Sequence, residues 1–315
     1  MSIYSYILNK QYENNHIFQD IVYPSLFHPT RQYDIVLAAD VHTLPLAFKA
    51  ARHAPVVFDA HEYFLHEYAD SAYTKYHKIN ARVGRQFVPR CAAMVTVSEG
   101  LAKMFAAEYG NTPTVIYNGP EFQYLEPVMP EQGRIRLVHH GGASKERKLE
   151  LMIEMMQWLD VRFSLDMYLL PQCEYLEYLQ SISKSNPRVQ ILSPVPMTEI
   201  AQRLNTYDIG LYILFPTSKN NEHALPNKFF EFIQARLAIA IGPTPDMAGI
   251  VRRHNLGVVA DDFTPQNLAG HLNRLTTEDI LTFKRNAAEA AKLYCAEHNM
   301  AKLHSILSSV LAKKE

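Results

Sequence analysis

Two charged residues interrupt an otherwise apolar segment in the second half of the chain. The segment LPNKFFEFIQ places Lys228 and Glu231 three residues apart, among phenylalanines that a helix would bury. Pro226 can rigidify the start of that helix and Asn227 can cap it. A helix N-terminus attracts anions, so Lys228 can bind a diphosphate there. Glu231 can then accept hydrogen bonds from the hydroxyl groups of a ribose. The competing interpretation is an exposed Lys–Glu pair that stabilises the helix by about 0.3 kcal/mol.

A glycine pair follows the strand-like run IRLVHH and precedes several basic residues. Gly141 and Gly142 have no side chains, so they let a backbone approach a ligand closely, and Lys145, Arg147 and Lys148 come after them. These residues suit a phosphate site, although an ordinary turn beside a solvated basic face has the same composition. The segment is neither GxGxxG nor GxxxxGK[ST], which argues against a dinucleotide-binding Rossmann motif and a P-loop.

Polar residues also follow two strand-like runs in the first half of the chain. Asp40 and His42 end one of them, where either side chain can cap the next helix or reach a sugar hydroxyl from an opposite domain. His61 and Glu62 follow PVVFD, where they line a cleft as hydrogen-bonding groups or close a loop as a pair. His61 and His66 are five residues apart and do not share a helical face, which argues against an HExxH zinc site. The chain contains no DxD sequence, which favours a diphosphate site without a metal.

The composition argues against several classes of protein. The 315 residues include 31 Lys and Arg against 32 Asp and Glu, so no net charge attracts nucleic acid or an anionic membrane. The three cysteines have no CxxC spacing, which predicts reduced thiols. No run approaches about 18 consecutive apolar residues, and the N-terminal sequence lacks the order of a signal peptide. We therefore expect a cytoplasmic protein that at most contacts the inner face of the membrane peripherally.

Short strand-like runs alternate with segments of helical period along most of the chain. This alternation predicts an α/β fold with two Rossmann-like, doubly wound parallel-sheet domains facing a cleft. We place the domains at residues 1–130 and 131–315, because the segment PEFQYLEPVMPEQGR is rich in Pro, Glu and Gln and reads as a linker. The final amphipathic run, from about residue 278, predicts a helix that crosses back onto the first domain or completes the second.

The order of these motifs resembles the GT-B glycosyltransferases, specifically the large retaining group numbered family 4. HHGGASKERKLE, LSPVPMTEIAQRL, YDIGLYIL and ALPNKFFEFIQARLAIAIG are similar to the nucleotide-binding half of that family. YDIVLAADVHTLPLAFKAAR, VVFDAHE, VTVSEGLAKMFAAEYG and VIYNG look like its acceptor-side domain. The resemblance covers roughly residues 30 to 290, and its motifs are more specific in the second half.

The resemblance implies a role for each matched residue of the second half. Gly141 and Gly142 approach the donor phosphates, Arg147 and Lys228 neutralise the diphosphate leaving group, and Glu231 binds the ribose. The implied reaction transfers a sugar from a nucleoside-diphosphate sugar to a glycan or lipid-linked acceptor with retention, in surface polysaccharide biosynthesis. It requires no metal and no cofactor besides the donor substrate.

The first half supplies the catalytic candidates. Asp40 matches a family position near the transferred sugar, with His42 and His61 as further candidates. Many family members have a histidine immediately before this aspartate, where this chain has Ala39. The first glycine is Gly84, so the Gly-rich loop with which the family begins has no counterpart. We therefore expect a shortened first domain, whose missing elements a partner chain would supply.

The second half departs from the family at one position of the donor site. Many members carry two glutamates eight residues apart, the later one at the position of Glu231. Here the earlier position is His223, with Glu222 adjacent, and both are donor-site candidates together with Asn227. Two other functions remain open: a nucleotide-sugar-binding subunit without catalysis, and a GT-B-type epimerase acting on nucleotide sugars.

Overall fold

The computed structural model describes residues 33–65 and 74–313, and these residues form two parallel β-sheets. The first sheet has four strands in the order β1-β2-β3-β4. They are β1 (Val36–Ala39), β2 (Val56–Ala60), β3 (Ala93–Thr96) and β4 (Thr114–Val115). Every pair of neighbours is parallel, as the alternation of strands and helices predicts.

Helices connect these strands and cover the first sheet. They are α1 (Leu44–Ala51), α2 (Thr74–Phe87) and α3 (Glu99–Tyr109), with 3₁₀ turns at Val41–Thr43 and Val88–Arg90. Ser98 caps the start of α3, because its side chain accepts a hydrogen bond from the Leu101 amide, and Gly110 caps the end in the left-handed conformation. The core between helices and sheet is built from buried apolar side chains, including Phe58 and Phe105.

The second sheet has six parallel strands in the order β10-β9-β8-β5-β6-β7. They are β5 (Ile135–Gly142), β6 (Phe163–Leu170), β7 (Val189–Leu192), β8 (Ile209–Tyr212), β9 (Ala238–Ile241) and β10 (Gly257–Val259). The chain builds outward from β5 in one direction and then returns to continue from β8 in the other. This is the doubly wound order, whose ligands bind where the order reverses, at the carboxyl ends of the strands. In this sheet that point lies between β5 and β8.

The helices of the second half lie on both faces of this sheet. They are α4 (Glu150–Met155), α5 (Glu174–Ser183), α6 (Ile200–Asn205), α7 (Lys219–Glu222), α8 (Asn227–Gln234), α9 (Pro245–His254), α10 (Pro265–Asn273), α11 (Thr277–Ala291) and α12 (Ala296–Ala312). Two separate apolar clusters form its core, in keeping with a sheet that is covered on both sides. No helix within the described ranges is long and apolar enough to cross a membrane.

The final helical run is two helices rather than one. Helix α11 ends at Ala291 and α12 begins at Ala296, with Cys295 in an extended conformation before it. Tyr294 is buried in this break, where its ring packs against Phe230 and Tyr117. The helical period that the sequence suggests is therefore interrupted at a buried aromatic residue.

The segment between the two sheets runs along α12. The Asn299 side chain of α12 accepts a hydrogen bond from the Tyr117 amide, and the Glu297 carboxylate accepts one from the Phe122 amide. The boundary near residue 130 falls within this segment, and its exact position stays a prediction, as does a crossing of α12 onto the first domain.

Hydrogen bonds join the two halves directly. The Tyr63 amide, after β2, donates to the Asn220 side chain, after β8, at 2.7 Å. The Gly100 amide, after β3, donates to Asp246, after β9, at 2.9 Å. Because each residue follows a strand of its own sheet, the carboxyl edges of the two sheets face each other.

Candidate active site

The glycine pair lies at the carboxyl end of β5. The strand pairs with β6 as far as Gly142, so the pair extends the strand instead of forming a separate turn. Gly141 has a φ of +123°, a conformation that residues with a side chain rarely adopt. A Cβ atom at Gly141 would lie 3.0 Å from Lys228 Nζ, and one at Gly142 would lie 3.7 Å from an Arg147 guanidinium nitrogen. The two glycines therefore leave room for two cations to approach the end of the strand.

Lys228 and Glu231 are both buried, so the interpretation of an exposed Lys–Glu pair is wrong. They are 5% and 4% exposed, and the neighbouring Phe229, Phe230 and Phe232 are 1% exposed or less. The phenylalanines fill the core on the face that packs against the sheet, as the sequence suggests. The charged pair is held inside the protein at the first turns of α8.

The start of α8 differs from the expectation for Asn227. Pro226 occupies the N-cap position in an extended conformation, and no side chain caps the helix. Asn227 is the first helical residue, and its side-chain oxygen instead accepts a hydrogen bond from Asn118 at 2.9 Å. Because Pro226 takes the cap position, Asn227 lies one residue too late to cap α8, and the expected cap is wrong.

His139 was not singled out by the sequence, yet it contacts Lys228 directly. It is fully buried on β5, with Nδ1 2.9 Å from the Leu211 carbonyl oxygen and Nε2 3.3 Å from Lys228 Nζ. The ring of Tyr212 lies beside both groups, with its centroid 4.5 Å from Lys228 Nζ. The only signal in the sequence was two adjacent histidines at the end of the strand-like run IRLVHH.

His140 is the second residue that sequence reasoning missed, and it lies beside Glu231. Its Nε2 atom is 3.1 Å from Glu231 Oε2, but without the alignment that a hydrogen bond requires. Burial, with a contribution from Lys228, lowers the pKa of His140 to about 3, so the ring is neutral at physiological pH. Burial also raises the pKa of the Glu231 carboxyl, which Lys228 partly offsets.

The site carries more basic than acidic side chains. Burial lowers the pKa of the Lys228 amino group well below its usual range, the nearby Arg147 adds to that effect, and Glu231 opposes it. Two basic side chains, Lys228 and Arg147, thus converge on the end of β5 with the carboxyl group of Glu231 near them. An anion at this point would favour the charged form of Lys228 and offset the effect of Arg147 on it.

The remaining basic residues after the glycines face elsewhere. Lys148 Nζ lies over the Phe215 ring, 4.1 Å from its centroid. Lys145 lines a cavity of about 420 Å³ between α4 and α5, together with Glu150, Glu174, Tyr175 and Tyr178. Of the three basic candidates, only Arg147 lies beside the glycine pair.

Two further donor-site candidates pair with neighbours outside this cluster. Glu222 forms an exposed ion pair with Lys219 at 2.7 Å. His223 Nδ1 lies 2.7 Å from Asp246 Oδ2, the same carboxylate that accepts the Gly100 amide. His223 is therefore part of the contact between the two halves of the protein.

The catalytic candidates lie together at the carboxyl edge of the first sheet. Asp40 follows β1 with a φ of 64°, a strained backbone for a residue other than glycine, and its side chain caps no helix. His42 likewise caps neither turn nor helix, and burial lowers its pKa against the opposing effect of Asp40. His61 is half-exposed and pairs with Asp59 at 3.1 Å, which raises the pKa of His61. Neither Asp40 nor His42 therefore has the capping role that was the alternative to a role in the cleft.

The described residues contain no group of metal-binding side chains. Within residues 33–65 and 74–313, no three His, Cys, Asp or Glu side chains cluster as a metal ion would require. The ionisable groups of the candidate site interact with each other and with the backbone.

The sequence was compared with models of known protein families and with proteins of known function. A family model described as Glycosyltransferase Family 4 matches residues 9–122, in the first half, although the motifs expected to be more specific lie in the second. The predicted shortening of the first domain concerns residues that lie largely before 33, outside the described residues. No protein with a curated description matches the sequence.

Several solved structures share the fold at low sequence identity. TarM from S. aureus, in a complex that contains UDP and α-GlcNAc-glycerol, has a TM-score of 0.65 at 11% identity, covering 87% of this chain and 55% of its own. HepE from Anabaena, in complex with UDP-glucose, has a TM-score of 0.67 at 16% identity, covering 88% of this chain and 79% of its own. Sucrose-phosphate synthase from Thermosynechococcus elongatus has a TM-score of 0.73 at 11% identity, covering 92% and 76%. This chain spans about half the length of TarM. The chain therefore has the two-domain GT-B fold of glycosyltransferases, and its residues 9–122 match Glycosyltransferase Family 4.

Proposed function

We propose that this protein is a glycosyltransferase that transfers a sugar from a nucleoside-diphosphate sugar to a glycan or lipid-linked acceptor. The observation that carries the proposal is the buried Lys228–Glu231 pair at the N-terminus of α8, beside the glycines that end β5. A buried cation, a second cation and free space at the switch point of a doubly wound sheet suit a diphosphate. The neighbours whose structures contain UDP or UDP-glucose make uridine nucleotides the first donors to test.

The proposed chemistry places charge where the site can stabilise it. When the bond between the sugar and the diphosphate breaks, negative charge develops on the leaving phosphate. Lys228 and Arg147 would stabilise that charge together with the N-terminus of α8, and their effect is strongest where water is excluded. Glu231 would accept hydrogen bonds from the ribose hydroxyl groups and so fix the position of the nucleoside.

The acceptor side of the proposal rests on the first sheet. Asp40 would lie near the transferred sugar, with His42 and His61 beside it. With retention of configuration, the leaving phosphate itself would take the proton of the acceptor hydroxyl, so that neither a dedicated base nor a metal ion is needed. Synthesis of a surface polysaccharide, at the inner face of the membrane, is the setting that this acceptor class suggests.

One observation favours a second function, that of a nucleotide-sugar-binding protein without catalysis. His223 stands where many family members have a glutamate, and it is engaged by Asp246 at the contact between the halves. A side chain held in that contact would leave the transferred sugar with fewer partners. Both functions predict donor binding, and only the first predicts turnover.

Calorimetric titration with UDP tests the binding site that both functions share. We expect Lys228→Met, which keeps an unbranched apolar stem, and Glu231→Ala each to weaken UDP binding at least about 10-fold, because each removes a charged contact. Lys292 and Glu289 are the matched control, since they form an i,i+3 pair at 2.7 Å on an exposed helix surface. If the variants at Lys228 and Glu231 bind UDP as tightly as Lys292→Met and Glu289→Ala do, the assignment of the donor site is wrong.

A transfer assay then separates the two functions. The protein is incubated with a panel of uridine, guanosine and adenosine diphospho-sugars, with and without acceptor glycans, and released nucleoside diphosphate is measured. Turnover that Asp40→Asn abolishes while UDP affinity stays unchanged supports the glycosyltransferase. Binding without turnover of any donor in the panel favours the non-catalytic function.

A further inference from the structure

The imidazole of His139 bridges strand β8 and the buried lysine of the donor site. Its Nδ1 atom lies 2.9 Å from the carbonyl oxygen of Leu211, and its Nε2 atom lies 3.3 Å from Lys228 Nζ. A carbonyl oxygen only accepts hydrogen bonds, so Nδ1 carries the ring proton. In the neutral ring, Nε2 then presents a lone pair to the amino group of Lys228.

We propose that His139 is a positioning residue of the donor site, whose fixed tautomer holds the Lys228 amino group beside Gly141 until a diphosphate binds there. The proposal rests on the proposed function, because it assigns a role in donor binding. His139 does not itself contact the donor. It acts through Lys228.

Two features keep His139 in this form. The residue is fully buried, and burial together with the nearby Lys228 lowers its pKa well below the usual range. A second proton on the ring would place an imidazolium against a cationic lysine. The Leu211 carbonyl would lose its partner if the proton moved to Nε2, so the opposite tautomer is also disfavoured.

The lysine has few other anchors that could hold it. The titratable or charged groups that face it come from four elements: His139 and His140 of β5, Arg147 of the turn after β5, Tyr212 of β8 and Glu231 of α8. Arg147 repels it, the Tyr212 ring attracts it weakly, and Glu231 attracts it as a charge. Of the described side chains, His139 is the one for which the structure records a hydrogen-bond contact with Lys228 Nζ.

Proton uptake on binding follows from this arrangement. Without a ligand, burial and Arg147 disfavour the charged form of Lys228. A diphosphate brings negative charge to the amino group and stabilises the ammonium form. The binding of UDP should therefore draw protons from the buffer, to an extent that depends on how Lys228 is held.

Two substitutions of His139 separate its two contacts. Asparagine can place its side-chain amide near the position of Nδ1 and keep the Leu211 contact, but it does not reach Lys228. Glutamine can place its side-chain oxygen near the position of Nε2 and keep an acceptor for Lys228. We expect His139→Asn to weaken UDP binding about 10-fold and to change the number of protons taken up, and His139→Gln to stay within about threefold of wild type.

Calorimetric titrations with UDP in two buffers of different ionisation enthalpy measure both quantities, and unfolding temperatures are recorded for each variant. Wild-type affinity in a folded His139→Asn protein would overturn the proposal. Equal losses in both variants that follow their unfolding temperatures would also overturn it, because a merely structural role predicts that result. If the wild-type protein binds no nucleoside diphosphate, the proposed function itself fails, which is a separate outcome.

The tautomer gives a test on the wild-type protein, in which the His139→Gln variant serves only to identify resonances. In the wild-type protein with ¹⁵N-labelled histidine, the His139 resonances are identified by their absence from the spectrum of His139→Gln. We expect a proton on Nδ1 and none on Nε2, with a shift of the Nε2 signal when UDP is added. A ring protonated on Nε2, or an Nε2 signal that UDP leaves unchanged although UDP binds, would overturn the proposal.

Discussion

Replacing Gly100 with alanine is expected to disrupt the contact between the two halves of the protein. The new Cβ atom would lie 1.9 Å from His223 Nδ1 and 2.5 Å from Asp246 Oδ2, distances that real Cβ atoms essentially never show. One or both side chains must move, although the Gly100 amide now donates to the same carboxylate at 2.9 Å. Overpacking costs about 1–3 kcal/mol, and a lost hydrogen bond to a charged group about 1.5–3 kcal/mol. We expect a net destabilisation of about 3 kcal/mol, because alanine regains part of this as a better helix former.

Scanning calorimetry measures the effect as a lower unfolding temperature. For a protein of 315 residues, 3 kcal/mol corresponds to a decrease of about 5 °C in the unfolding temperature. Gly270→Ala is the matched control, because Gly270 also lies in a helix but an added Cβ would meet nothing within 4 Å. We expect that control to unfold at or slightly above the wild-type temperature. An unfolding temperature of Gly100→Ala equal to that of the control would refute the close contact between the halves.

Two further predictions concern the donor site. Gly141→Ala should weaken UDP binding about 10-fold or more, because its Cβ would reach 3.0 Å from Lys228 Nζ, whereas Gly133→Ala, which also has positive φ but open space, should bind UDP like wild type. For His140, the pKa is lowered from 6.5 to about 3, so the unfolded chain binds more protons between these values and stability rises with pH across them. His140→Gln should reduce the slope of unfolding free energy against pH near pH 5 by about 1.4 kcal/mol per pH unit, measured by urea titration, and an unchanged slope would contradict the burial of a neutral histidine.

The sequence was sufficient for the fold class because local periodicity encodes it. Strands of the second sheet are buried on both faces and read as apolar runs such as AIAI, while the helices between them keep a 3.6-residue period. The order of the strands in the sheet, by contrast, could not be predicted from local periodicity. The reversal between β5 and β8 depends on which strands pair, and pairing over 70 residues leaves no local signal.

The residues of the candidate site were predictable in type but not in environment. Spacing placed Lys228 and Glu231 on one helix face, yet the same spacing fits an exposed pair such as Lys292 and Glu289. The difference is the strand that α8 packs against. Only the tertiary structure shows that β5 ends beside α8 and buries both charges.

Contacts with residues distant in sequence explain why His223 and Asn227 differ from their predicted roles. His223 was aligned with a sugar-binding position, but it meets Asp246 and Gly100, which follow other strands. Asn227 was expected to cap α8, but its side-chain oxygen accepts a hydrogen bond from Asn118 of the connecting segment instead. In each case a hydrogen bond across more than 20 residues competes with the local role that the motif suggests.

The burial of Lys228 is difficult to explain as a stabilising feature of the fold. A methionine would fill the same space without desolvating an amino group beside Arg147, and buried charges seldom stabilise a protein relative to apolar residues of similar volume. Glu231 does not remove the difficulty, since burial raises the pKa of that carboxyl too. Gly141, with its unusual φ, keeps the end of β5 open to this lysine. An unfavourable charge held beside an open backbone, at the switch point of the sheet, is best explained by a ligand that supplies the missing negative charge.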